Sequence, residues 1–152
     1  MASFLGDGQS GARKDLGYMD QASIKGNGVP LLRISTEKIF SFSEANALIP
    51  LINRITETSE LRIREIVKRL EVARQGAEDE MLTQIQQEVE DQVHEIYEQW
   101  QNKIVKLGGK PKGVWLCDFD NGSGYFCWKY PEPKITHRHG YQDGFSRRIV
   151  IE

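Results

Sequence analysis

The stretch SFSEANALIPLINRITETSELRIREIVKRLEVA, residues 41–73, decides the fold. Ser41 is followed three residues later by Glu44, a pairing in which the serine hydroxyl accepts from an open amide of a helix and the carboxylate reaches back to the serine amide. Beyond this cap Leu48, Ile52, Ile55, Ser59, Ile63, Ile66, Leu70 and Ala73 recur at spacings of three and four, while Arg54, Glu57, Arg62, Arg64, Glu65 and Lys68 take the other faces. That is an amphipathic helix of many turns. Pro50 lies inside it and removes one backbone donor, so a kink near residues 46–50, or a short helix feeding a longer one, is expected.

On its C-terminal side the pattern breaks at Gln75-Gly76-Ala77 and resumes with Leu82, Ile85, Val89, Val93, Ile96, Trp100, Ile104 and Leu107. Gly108 and Gly109 follow the last of these and Pro111 comes just after, the order that ends a helix and forbids its return. Residues 41–107 therefore read as a long antiparallel helical hairpin. Each helix carries a single apolar stripe, and two helices alone bury little. The remaining apolar surface needs a cover, supplied either by the C-terminal segment or by a second copy, with a dimer favoured, or by another protein partner.

From residue 113 the pattern turns to VWLCDFD and YFCWKY around Asn121-Gly122, a β-hairpin signal because this dipeptide tolerates the positive φ of tight turns. A two-residue turn pairs Asp120 with Ser123 and sets Cys117 opposite Phe126, whereas a three-residue loop sets Cys117 opposite Cys127. Pro131 and Pro133 force an extended stretch, and ITHRH and RRIVI each offer a short strand. The fold class is thus mainly α with a small β segment, an α+β protein whose hairpin is followed by β structure over residues 113–152. Residues 1–28, with glycines at 6, 8, 11, 17, 26 and 28 and no sustained period, read as a flexible tail, and residues 29–152 as a single domain. Within 29–42, VPLLRIS and KIFSF are β-compatible runs that could cover the end of the helical body or add a sheet edge.

The 20 Lys and Arg residues nearly balance the 22 Asp and Glu, so no global field draws the chain to nucleic acid or anionic lipid. No apolar run approaches the roughly 20 residues that span a bilayer, and the first residues lack the apolar core of a secretory signal. The expected address is the cytoplasm. Two cysteines, Cys117 and Cys127, are too few for a disulfide scaffold and read as buried free thiols.

The stretch IFSFSEANALIP, the YFCWKYPEP element and the closing ITHRHGYQDGFSRR together resemble the prokaryotic family known as domain of unknown function 2203, over residues 39–148. Glu44-Ala45-Asn46 with Pro50, Cys127-Trp128, the late His, Gly144-Phe145 and the Arg pair come in that family's order. The chain departs from the pattern where Pro131 precedes Glu132 and where Arg138 separates two histidines. The resemblance implies the architecture and carries no assigned activity.

Four residues point to chemistry. If residues 135–139 are extended, His137 and His139 share a face and can chelate one ion, with Glu132 or Asp143 as a harder third ligand. Such a site would take a divalent transition metal, zinc, iron or manganese, and stay open to water or substrate. Set against it is the reading in which both histidines lie solvated in a polar turn. A four-ligand site that adds Cys117 and Cys127 matches no familiar zinc spacing, and a Cys127–His137 nucleophile and base lacks the signatures of cysteine hydrolases. Gly108-Gly109 closes a helix where a phosphate site needs glycines opening one, and His94 reads as solvated. Two classes of function follow: a helical-hairpin interaction or structural module that self-associates or binds a protein, and, as the alternative, a small metal-binding protein with its site late in the chain.

Overall fold

The computed structural model describes residues 37–152. The readings of residues 1–28 as a tail and of the β-compatible run at 29–36 lie outside the described residues. Helix α1 is Phe42–Ala73 with Ser41 as its N-cap. Glu44 Oε2 accepts from the Ser41 amide at 2.8 Å, and the Glu44 amide donates to Ser41 Oγ at 3.2 Å, which closes the predicted box. The helix runs through Pro50 as one element and is not divided into a short and a long piece.

Helix α2 is Asp79–Lys106. Gly108, at φ +91°, donates to Val105 O at 2.9 Å, and Gly109 donates to Ile104 O at 3.0 Å, the paired bonds of a glycine-closed helix end. A side chain at Gly108 would be strained by that φ and would also meet the Phe40 ring at 2.9 Å. Here the glycine pair does what its position in the sequence implies.

The seam between the helices differs in detail from the sequence reading. Ala45, Ile49, Ile52, Thr56 and Ser59 of α1 are buried with Ile96, Trp100 and Ile104 of α2, while Leu48 and Ile55 flank this core half-buried. Thr56 sits in the middle because it satisfies a buried donor. The Trp100 indole N–H donates to Thr56 Oγ1 at 2.9 Å, and that hydroxyl donates on to Ile52 O at 2.8 Å. Periodicity weighted by apolar character passes over such a threonine.

Five antiparallel strands follow in the order of the chain: β1 Lys110–Gly113, β2 Leu116–Asp120, β3 Tyr125–Lys129, β4 His137–His139 and β5 Ile149–Val150, with a short 3-10 helix, Phe145–Arg147, before the last. ITHRH and RRIVI each supply a strand, as their composition implies. The β structure begins three residues before the expected 113, because residues 110–113 fold back on β2 as an edge strand. An edge is where Pro111 can be accommodated.

The β2–β3 register corrects both sequence alternatives. Asp120 pairs with Tyr125, so Cys117 lies opposite Trp128 and Asp118 opposite Cys127. The loop is four residues long, 121–124, because side chains extend it. Asp120 Oδ1 accepts from the Gly122 amide and Asn121 Oδ1 from the Ser123 amide, both at 2.9 Å, and neither contact belongs to a two-residue turn.

Alternation along this register gives the sheet two faces. Cys117, Phe119 and Trp128 turn to the helices and complete the core with Phe40, Ile49, Trp100, Ile104 and Ile135. Phe40, just before α1, donates its amide to Asp120 O at 2.7 Å and sets its ring edge-on to Phe119, closing the end of the body. Asn53 and Asn46 of α1 tie down the extended stretch after β3, through Glu132 O at 3.0 Å and the Ile135 amide at 2.8 Å. The other face carries Asp118, Asp120, Tyr125, Cys127, His137 and His139.

Candidate metal centre on the outer face of the sheet

The outer face sits beneath the returning chain of residues 140–148, so side chains there are polar yet buried. Asp118 is 2 % exposed, Cys127 0 % and His139 7 %. One ligand atom from each lies within 4.8 Å of the other two, and among the described residues this is the group of three His, Cys, Asp or Glu side chains that comes together so. In the sheet, Asp118 and Cys127 are direct cross-strand partners, while His139 is paired with Tyr125 one step along and reaches diagonally toward Asp118.

The hydrogen bonds fix the imidazole. His139 Nδ1 is 3.0 Å from Gly140 O, and since a carbonyl oxygen only accepts, Nδ1 carries the proton. This leaves Nε2 facing Asp118 Oδ2 at 3.0 Å. Tyr125 packs on the His139 ring at 5.5 Å and Tyr141 stands edge-on to Tyr125, its hydroxyl donating to Asp120 Oδ1 at 2.7 Å. The loop at Gly124 passes so close to the end of β4 that a Cβ there would lie 2.5 Å from the main-chain oxygen of His139.

Asp118 Oδ1, by contrast, is buried with no hydrogen-bond partner. As a plain imidazolium–carboxylate pair the arrangement leaves one carboxylate oxygen dry and unpaired, which makes a buried ion pair costly. A cation held between the three side chains would remove that deficit. Ligands about 2.0 Å from a tetrahedral ion stand about 3.3 Å apart, close to the His139–Asp118 separation. An imidazole whose Nδ1–H is held by a backbone carbonyl and whose Nε2 is free for the ion is also the usual orientation of a metal-binding histidine.

Cys127 completes the set. Burial, and after it the neighbouring Asp118 carboxylate, push its thiol up to about 12, while the Arg148 guanidinium acts the other way. The thiol is fully enclosed and its ionisation suppressed, so this cysteine is not set up as a nucleophile. A cleft of about 260 Å³ opens over Asp118 and His139, lined also by Lys112, Tyr125, Tyr141 and Phe145.

Of the four residues singled out in the sequence, His139 is in the cluster and Asp143 lines the cleft over it. His137 and His139 do share a face, but His137 places Nδ1 2.8 Å from Thr136 Oγ1. Glu132 binds Arg148 at 2.8 Å and accepts from the Lys129 amide at 3.0 Å, and Asp143 lies 3.6 Å from Arg147. These two carboxylates are matched to the two arginines of the closing segment. The carboxylate in the cluster is Asp118, which the sequence reading passed over. Cys117 is on the core face, opposite in direction to Cys127, so the two cysteines do not share a site. His94 is exposed and 3.2 Å from Glu98, in keeping with a solvated side chain.

No helix among the described residues is long and apolar enough to cross a membrane. A family model described as Uncharacterized conserved protein (DUF2203) matches residues 38–151, and the chain belongs to that family. Neither the curated proteins nor the solved structures contain a match to it.

Proposed function

We propose that this member of the DUF2203 family is a metal-binding protein whose centre is formed by Asp118, Cys127 and His139. The observation that carries the reading is the buried, unpartnered Asp118 Oδ1 beside an imidazole whose proton is held on the far nitrogen. A thiolate, an imidazole and a carboxylate form a mixed donor set suited to zinc, whose binding to three protein ligands leaves a fourth position. A small ligand that completed the shell would reach the ion through the cleft over Asp118 and His139, where Lys112 offers a positive charge. This reading keeps His139 from the late-chain site expected from the sequence and takes Asp118 and Cys127 in place of His137, Glu132 and Asp143.

Elemental analysis of protein purified without chelator or metal-affinity resin tests this. The expected result is close to one zinc per chain, lost in Cys127→Ala and in His139→Ala and kept in His137→Ala, with folding of each variant checked by circular dichroism. A metal-free wild type that also takes up no added zinc overturns the reading. Loss in His137→Ala with retention in Cys127→Ala would move the centre back to the histidine pair.

A further inference from the structure

A largely apolar groove of about 610 Å³ runs along one side of the helical hairpin, lined by Ile63, Val67, Val89, Val93, Tyr97 and Trp115 with Glu60, Glu90 and His94 as its polar lining, and shares no lining residue with the cleft on the outer face of the sheet. Its base is held by an unusual turn. Val114 and Trp115 join β1 to β2, and Trp115 has φ +56°, a conformation that costs a bulky residue about 1–2 kcal/mol and is normally given to glycine. The indole is kept there by edge-on packing against Trp100 at 5.1 Å and Tyr97 at 5.9 Å, and Val114 is left 67 % exposed at the groove's end. Two packed helices with this stripe uncovered are half of a four-helix arrangement.

The charges on the two helices say what the other half is. Between residues 62 and 69, α1 carries Arg62, Arg64, Lys68 and Arg69 against Glu65 alone. Helix α2 has no Lys or Arg from 79 to 102, and over 88–98 presents Glu88, Glu90, Asp91, Glu95 and Glu98. All of these are on exposed positions. Within the chain, among the described residues, one ion pair links the two sets, Arg69 with Glu88 at 3.9 Å. We infer that the groove is the dimer interface of this protein, covered by the hairpin of a second copy whose acidic α2 lies against the basic stretch of α1, and reciprocally. Self-complementary charge on the exposed positions of the two helices that share an apolar stripe suits an interface related by a two-fold axis.

Light scattering coupled to size exclusion, on the full chain, reads the outcome. The wild type is expected at twice the 17.4 kDa chain mass, with dissociation rising as salt is added. Val67→Asp, in the groove, is expected to be a folded monomer. Because a half-buried site can also affect folding, charge reversal at exposed positions supplies an independent arm. Lys68→Glu/Arg69→Glu and Glu90→Lys/Asp91→Lys should each weaken self-association by about tenfold or more, and mixing the two variants should restore a heterodimer. A wild type that is monomeric at the highest attainable concentration overturns the inference, as does a dimer indifferent to Val67→Asp and to both reversals. Metal content is read separately in the same samples, and the outcome for the groove does not depend on it.

Discussion

Asp118 has one oxygen on His139 and one on nothing, and the consequences of that asymmetry can be measured without knowing which ion binds. In metal-free protein, His139→Ala leaves a buried carboxylate with no partner, so it should lower unfolding stability by about 3–5 kcal/mol in urea titrations. His137→Ala, whose ring is hydrogen-bonded to a neighbouring hydroxyl and not to a buried carboxylate, should change it by much less. At the N-terminus of α1 the Ser41 amide and hydroxyl hold the Glu44 carboxyl below its ordinary 4.5. A carboxyl depressed in the folded state contributes stability above its unfolded value and loses it as pH falls through the folded one. The gap in urea midpoint between wild type and Glu44→Ala should therefore be full near neutrality and close in acid; a gap independent of pH would mean the carboxylate does not cap. The capping pair was legible because it is local, three residues apart. Asp118 is legible beside Cys127 in the two-residue alternative alone, because a register slip of two leaves every side chain on its face, whereas the three-residue alternative puts Asp118 and Cys127 on opposite faces.

The elements were legible where one chemical signal governs them. Helix α2 ends where Gly108 takes positive φ, and Gly108→Ala should cost about 1–2 kcal/mol, since any Cβ is strained there and also meets Phe40. The same substitution at Gly76, in the open turn between the helices, meets no atom within 4 Å and serves as the control. Where two signals compete the reading failed. Asn121-Gly122 favours a two-residue turn, but the carboxylate of Asp120 and the amide of Asn121 each capture a backbone N–H two residues on and lengthen the loop to four. In the helical seam an apolar stripe is a good guide until a buried indole needs an acceptor. Thr56→Val keeps the shape and strands the Trp100 N–H, and should destabilise by about 1–3 kcal/mol, with little change if the indole finds water instead.

Across the whole molecule, the hairpin and the sheet divide the work. The core face of the sheet closes the base of the hairpin, and the outer face holds three donors under the closing segment. The order of elements followed from periodicity and turn residues, but which side chains converge depended on the β3–β4 pairing across residues 130–136, a non-local register that no spacing in the sequence encodes. This is why His139 was anticipated in a cluster and its neighbours there, Asp118 and Cys127, were not. The central claim, that Asp118, Cys127 and His139 bind one metal ion, is tested most directly by titrating metal-free protein with cobalt(II) and recording the visible and near-ultraviolet spectrum. The account predicts saturation at one ion per chain, with a thiolate-to-cobalt charge-transfer band that is absent in Cys127→Ala and present in Cys117→Ala. A titration with no thiolate band, or one that survives removal of Cys127, would contradict it.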